Sequence, residues 1–467
     1  MEALKTLIRR VNKYRPTIVV IGDCLLDEYY NVVADKLSPE FPIVRMLGTN
    51  ERPDVVVPGG AGNLANQFKY FNTDVKLFGF LDIESRPLYQ SIGVDISGCE
   101  TLSSPSFIPR KRRFYQDNFP LSRWDIEVPN YGLQDIVEYQ KDLLAAYDEV
   151  SDVAVTIYAD YNKGVLSGAN KTQWFKKERD TISIIDPKKG PLCLWNGCTI
   201  FKPNAKEAEE LSHIPSVHWQ NQCDFFQRQL GCMAVVITHG GDGVYGKVME
   251  KYFDYHSPYS SDCASVIGAG DCFISVLGLA MAHALDIVDA VQIAYEAGAV
   301  YVGKKYNEPI CLQEVYARID PVGSKMIDIQ CLNNRPYKLA VTNGCFDILH
   351  FGHMEILKFA KSKGDKLLVL VDTDEQVKRF KGEGRPVNDL QARMRMLAAL
   401  ECVDFVMPFN SNDELHDIYA QIKPDVLVKD NTWPYIVGSD VAKEVVVFPR
   451  VEGYATTNIV EKIKKST

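Results

Sequence analysis

The 467-residue chain contains no CxxC pair and no cysteine–histidine cluster at zinc spacing, although it has 12 cysteines. They stand singly, several inside apolar runs as Cys272 and Cys402 do, where a thiol behaves as a small hydrophobe. This usage excludes a disulfide scaffold and fits a reducing cytoplasm. Long hydrophobic runs are also missing. The longest, Cys272 to Ala284, is followed by Asp286 and Asp289 and is too short to span a bilayer. The first ten residues, Met1-Glu-Ala-Leu-Lys-Thr-Leu-Ile-Arg-Arg10, lack a signal-peptide core. There is no excess of positive charge either: the net charge of −9 argues against a nucleic-acid or membrane-surface binder. The one basic run, Arg110-Lys-Arg-Arg113, reads as a strand edge or local anion site. With 46% apolar and 24% charged residues, the remaining class is a cytoplasmic soluble enzyme of two or three domains.

Short β-branched runs alternate with helical patterns. Thr17–Ile21, Val153–Tyr158, Ile182–Ile185 and Ala234–Thr238 read as buried strands, with helices expected over Asn63–Tyr70, Leu133–Tyr147 and Lys206–Leu211. This is the pattern of α/β units around a mostly parallel sheet. It weakens over 319–336, which is expected to be a linker, and restarts at 337 in a smaller Rossmann-like unit of about 130 residues. The expected domains are therefore 1–318 and 337–467.

Two motifs carry chemistry. Gly344-Cys-Phe346-Asp347-Ile-Leu-His350-Phe-Gly-His353 lies between a strand-like run and a helix-like run. A glycine turn before a helix presents free amides to phosphate, and imidazoles on the first turn add donors and positive charge there. Earlier, Ile267-Gly268-Ala269-Gly270-Asp271 precedes the apolar helical run. Its amides can converge on an anion, and the aspartate can take a proton from a hydroxyl attacking a γ-phosphate. Asn204 after Pro203 reads as a helix N-cap with Glu207 closing the reciprocal pair, a start that can also face a nucleotide.

The ten-residue string resembles the GxFDxxHxGH signature of nucleotidyltransferases that activate small phosphorylated compounds. The ordered set Pro58-Gly59-Gly60-Ala-Gly-Asn63, Asn204-Ala205-Lys206-Glu207, Thr238-His-Gly240-Gly-Asp-Gly243 and GAGD resembles the ribokinase-like (PfkB) sugar kinases over roughly residues 10–318. That resemblance implies a ribokinase-like three-layer α/β domain with Asp271 as catalytic base and the amides of 268–270 as anion hole. It also implies that 204–207, Thr238, Gly240 and Gly243 border ATP and Mg2+, with Glu207 reaching the metal through water. Gly59, Gly60 and Asn63 would hold the sugar.

Asp23-Cys-Leu-Leu-Asp27, Lys36-Leu-Ser-Pro-Glu40-Phe-Pro42, the cations Lys111, Arg113 and Arg123 on an apparent hairpin, Asp160–Gly164 and Ile185–Lys188 look like the kinase half of the bifunctional heptose kinase/adenylyltransferase family. In that family O1 of heptose 7-phosphate is phosphorylated. Carboxylates at Asp23 and Asp27 would accept sugar hydroxyls, and the cations would receive the 7-phosphate. In the second half, Lys378–Gly382, Arg385–Asn388, Gln391-Ala-Arg393 and Ala455-Thr456-Thr457-Asn-Ile459 resemble its nucleotidyltransferase motifs. The resemblance implies that His350, His353 and Lys381 stabilise adenylyl transfer, with Gly344, Phe346, Arg393, Thr456 and Thr457 on the nucleotide and Asp347 and Lys429 on the sugar phosphate.

It further implies a separate phosphatase between the steps and a homodimer through the kinase domain. The chain departs from the pattern at Ser265 and Ile267, where an acid and a threonine are usual, and at Asp430, where glycine is usual. These departures keep two alternatives open: another phosphosugar or CTP, or a kinase half that is a non-catalytic scaffold.

Overall fold

The computed structural model describes residues 2–38, 44–48, 51–102, 108–117, 119–127, 133–166, 181–188, 190–259, 268–327, 329–332, 335, 337–431 and 435–449. Thr456, Thr457, Ser265, Ile267 and the Pro39–Pro42 stretch lie outside the described residues. The chain divides into two compact units, Met1–Ile319 and Asp320–Thr467.

The first unit is built on an eight-stranded sheet. Its order is Lys251–Tyr255, Val244–Val248, Ala234–Thr238, Ile200–Phe201, Ile182–Asp186, Val153–Ala159, Thr17–Gly22 and Asp74–Phe78. The last six are parallel and the first two form an antiparallel edge. Strands such as Val153–Ala159 read as continuous apolar runs because both sheet faces are covered. On one face, the helices Ala269–Ala282 and Ile287–Tyr301 pack against Ile157, Ile184 and Val236. On the other, Leu133–Asp148 and Trp219–Leu230 pack against Tyr158, Ile185 and Val235.

Chain order reverses between Thr17–Gly22 and Val153–Ala159, and such switch points open a crevice at the strand C-termini. A smaller sheet of Cys24–Leu37, Val44–Gly48, Val55–Gly60, Arg110–Gln116 and Phe119–Ile126 continues from the first central strand. The basic run is its strand Arg110–Gln116, and the expected hairpin forms with Phe119–Ile126.

The second unit has five parallel strands in the order Phe405–Phe409, Lys366–Asp372, Leu339–Gly344, Val426–Asp430 and Glu444–Phe448. Its switch point falls between Leu339–Gly344 and Val426–Asp430; His353 and Lys429 line the crevice there, whereas His350 is not among its lining residues. Part of the 319–336 segment belongs to this unit. Met326 bridges Val406, and Ile327 and Leu332 are buried in its core.

Candidate functional site

The crevice of the first unit encloses about 480 Å³. Asp271 lies in the first turn of helix Ala269–Ala282, whose N-cap is Gly268 at φ 75°. Only glycine takes that conformation freely, and a Cβ there would stand 2.7 Å from the Tyr301 ring. The first helical amides, which have no intrahelical acceptor, therefore border the cavity together with Gly268, Ala269 and Gly270. Burial pushes the Asp271 carboxyl up from its ordinary value, and two donors oppose the shift. Tyr161 donates to Oδ1 at 2.5 Å and Asn63 Nδ2 to Oδ2 at 2.6 Å.

Asp27, Gly60, Lys111, Arg113 and Arg123 also line this cavity, as do Asn204, Glu207, Thr238 and Gly240. Arg113 is already paired with Asp27 at 2.9 Å, and Arg123 binds Asp125 at 2.6 and 2.5 Å. Burial lowers the Lys111 ammonium although Asp27 and Asp271 face it. Asn204 and Glu207 form the reciprocal capping box on helix Ala205–Ser212, each accepting the other's backbone N–H at 2.9 Å. The Glu207 carboxylate also pairs with Lys188.

Five expected ligand contacts are not among the lining residues. Asp23 is turned inward, accepting the amides of Tyr161, Lys163 and Val165 at 2.9, 3.0 and 3.0 Å. It is a latch on the loop after Val153–Ala159. Gly59 lies behind Asp27, with its Cβ position 2.7 Å from Oδ2. Ala205 and Lys206 follow the cap in the first helical turn without lining the cavity. Gly243, at φ 120°, closes a turn against the Tyr255 carbonyl. Tyr161, Asp186 and Lys188, which fall in stretches that carry the family resemblance but have no role assigned from sequence, also line the cavity, as do Lys202 and Asn307, which the sequence does not single out. Lys202 makes a buried ion pair with Asp186 at 2.8 Å. The Asn307 amide donates to Asp27 and accepts from Tyr29 and Tyr301.

The second unit's cavity, about 580 Å³, is lined by Gly344, Phe346, Asp347, His353, Lys381, Lys429 and Asp430, and by the unforeseen Asp372, Asn412 and Tyr435. His350 is the N-cap of helix Phe351–Lys361 and accepts the His353 amide through its ring. The two imidazoles stack with centroids 3.7 Å apart. Burial, His350 and Lys381 push the His353 imidazole down to about 3, so it is neutral at pH 7. The positive charge expected of that ring therefore depends on phosphate charge arriving beside it. Its Nδ1 is buried with no hydrogen-bond partner among the described residues.

Arg393 is 0% exposed and lies outside the cavity lining. Its guanidinium donates to the carbonyls of Asn388, Cys345 and Asp372 and to the Asp374 carboxylate, so it ties strand ends together. Asp347 is likewise engaged with Arg385 and the amides of Val387 and Asn388. The Lys429 ammonium binds the backbone and side-chain oxygens of Asn343 at 3.0 Å. Burial lowers it, and Asp430 and Asp372 oppose that shift.

No group of three metal-ligating side chains occurs among the described residues. A magnesium ion carried on nucleotide phosphates needs only one or two protein carboxylates. Glu207, on the cavity wall beside Lys188, fits that requirement.

The chain thus joins a carbohydrate-kinase unit to a nucleotidyltransferase unit. Residues 165–312 match the pfkB family of carbohydrate kinases, and 341–451 the cytidylyltransferase-like family. The first unit's fold is shared with phosphofructokinase-2 from Escherichia coli in complex with potassium (TM-score 0.53, 14% identity, 65% of this chain and 98% of that one). It is also shared with ribokinase from Thermotoga maritima (TM-score 0.50, 18% identity, 66% and 99%). Over nearly its whole length the chain is similar to proteins named bifunctional protein HldE. That of Campylobacter jejuni subsp. doylei is 31% identical over 98% of this chain and 99% of its own. That of Helicobacter hepaticus is 32% identical over 97% of each. The chain belongs to the HldE family and is a bifunctional sugar kinase and nucleotidyltransferase.

Proposed function

We propose that the first unit transfers the γ-phosphoryl group of ATP to O1 of D-glycero-β-D-manno-heptose 7-phosphate. The second unit then transfers AMP from ATP to heptose 1-phosphate, giving ADP-heptose and pyrophosphate. One observation supports the first step above others. The Asp271 carboxylate shares a cavity with Lys111 from the small sheet and with the capped helix start at Asn204. In this reading the O1 hydroxyl attacks the γ-phosphorus as its proton passes to Asp271, and the bond to the β,γ-bridging oxygen breaks. Amides at 268–270 hold the phosphoryl oxygens, and Lys111 receives the 7-phosphate. Magnesium, held through Glu207 and water, would neutralise nucleotide charge.

In the second unit a sugar-phosphate oxygen attacks the α-phosphorus and pyrophosphate leaves. Binding and orientation supply most of the catalysis. Lys381 and the stacked pair of His350 and His353 bear on the α- and β-phosphates, and Lys429 bears on the acceptor. The 7-phosphate must leave between the steps, which calls for a separate phosphatase.

Phosphorus NMR with heptose 7-phosphate and ATP tests the first step. A 1,7-bisphosphate that Asp271→Ala abolishes is the expected result; no turnover by the parent sinks the assignment. Heptose 1-phosphate offered with ATP or CTP tests the second step and its base. Pyrophosphate release unchanged in His353→Ala would remove that histidine from the mechanism. Asp430, standing on the cavity wall where glycine is usual, motivates the second reading, another phosphosugar or CTP.

A further inference from the structure

Both oxygens of the Asp271 carboxylate already accept short hydrogen bonds, one from Tyr161 and one from Asn63. Asn63 can only donate from its amide nitrogen, and its own oxygen accepts from Gln67 at 3.1 Å. The Tyr161 phenol is different, because it belongs to the loop that follows the strand Val153–Ala159 and is held there through its backbone. Asp23 accepts the Tyr161 amide, so the ring is carried on a fixed pivot while its hydroxyl points into the cavity. Two cations flank that ring. Lys111 Nζ lies 5.4 Å from its centroid and Lys188 Nζ 5.9 Å. Lys111 comes from the small sheet; Lys188 is paired with Glu207 beside the capped helix start.

We propose that Tyr161 caps the base: its hydroxyl holds Asp271 Oδ1 in the sugar-free enzyme and is displaced by the attacking sugar hydroxyl, which keeps water from the base. This rests on the reading of Asp271 as the kinase base. The two lysines couple the cap to both substrates. A phosphate on the sugar draws Lys111 away from the ring, and nucleotide phosphates draw Lys188 away, so the ring loses both cation contacts only when the cavity is full. Without the cap, a water molecule can take the place of the sugar. Its oxygen bonds to the γ-phosphorus, its proton passes to Asp271, and ADP leaves with the electron pair of the broken bond. Tyr161 is thus a positioning residue that selects sugar over water.

The groups facing Asp271 fix the sign of the pH effect. They are Tyr161 from the loop, Asn63 and Tyr301 from two helices, Asp186 and Lys188 from a neighbouring strand end, and Lys111 from the small sheet. Burial raises the carboxyl and the Tyr161 hydrogen bond lowers it. Removing the phenol oxygen therefore raises it further, and the acid limb of activity moves to higher pH.

The test uses the full chain with Tyr161→Phe and Tyr161→Leu, each checked for cooperative melting beside the parent. Sugar-free hydrolysis of MgATP, read as phosphate release, should rise about tenfold or more. The acid limb of kcat/KM for sugar phosphorylation should move up by about one pH unit. Asp271→Asn added to either variant should abolish the hydrolysis. A cap role is overturned if whichever variant folds leaves both hydrolysis and acid limb at the parent's values, whatever happens to kcat. Asp271→Asn that leaves turnover intact would instead overturn the kinase reading itself, so the two failures are distinct.

Discussion

Asp23 and His353 are two buried titratable groups whose linkages to stability run in opposite directions. Burial and the neighbouring Asp160 raise the Asp23 carboxyl to about 6, against the pull of three amides. Its folded value lies above its unfolded one, so the folded state is favoured at low pH and loses stability as pH rises from about 4 through 6. Asp23→Asn should remove that slope. Relative to the variant, the parent should lose about 3 kcal/mol across the window, read by urea unfolding at pH 4 and 7. For His353 the folded value, about 3, lies below the unfolded one. Its contribution is present above pH 6.5 and is lost as pH falls toward 3. Imidazole NMR should show a ring that stays neutral at pH 5 in the free protein. Adding MgATP should bring its titration toward neutrality, because phosphate charge favours the cation. A ring that titrates near 6.5 without nucleotide counts against this account.

At the scale of elements, both sites depend on how helices begin. Gly268 sits at positive φ with the Tyr301 ring behind it. Gly268→Ala should strain the loop by roughly 1 kcal/mol or more and displace that ring. Sugar phosphorylation should fall at least tenfold while pyrophosphate release by the second unit is unchanged, as coupled assays of the two steps can show. Loss of the two activities together would point to general misfolding. The capped helix at Asn204 is a milder case: Asn204→Ala removes one cap bond, costs about 1 kcal/mol, and should raise KM for ATP more than it lowers kcat.

Elements of this kind are legible in sequence because their signals are local. The β-branched runs, the Asn204–Glu207 pair and the glycine turns at 268 and 344 each declare themselves within a few residues. What was not legible is long-range. Asp23 and Asp27 are four residues apart on one extended stretch, yet one latches backbone amides and the other faces the cavity. Nothing in their spacing separates them, because the deciding partners lie 86 or more residues away. Tyr161 is a lone aromatic after a strand until Asp271, 110 residues later, folds against it. Arg393 has the residue type of a phosphate ligand, and two of the three carbonyls that converge on it come from distant parts of the chain.

For the whole molecule, the small sheet of the first unit presents Val33, Leu47, Phe119 and Trp124, each about half exposed or more. Apolar side chains grouped on one sheet favour association, and the family resemblance implies a dimer through this unit. Light scattering should give a dimer mass for the parent and a monomer for Phe119→Asp with Trp124→Asp. A monomeric parent would remove that proposal. Among the described residues no helix is long and apolar enough to cross a membrane.

The seating of Ile327 and Leu332 in the second unit's core bears on genetic dissection of the two activities. Met326 extends the sheet at Val406, and the Lys325 ammonium holds the Leu400 carbonyl at 3.0 Å. A fragment that starts at 337 would uncover Leu339, Leu368 and Met407, whereas one that starts at 320 keeps them covered. The natural place to cut the gene is therefore ahead of the connecting segment, which travels with the downstream enzyme.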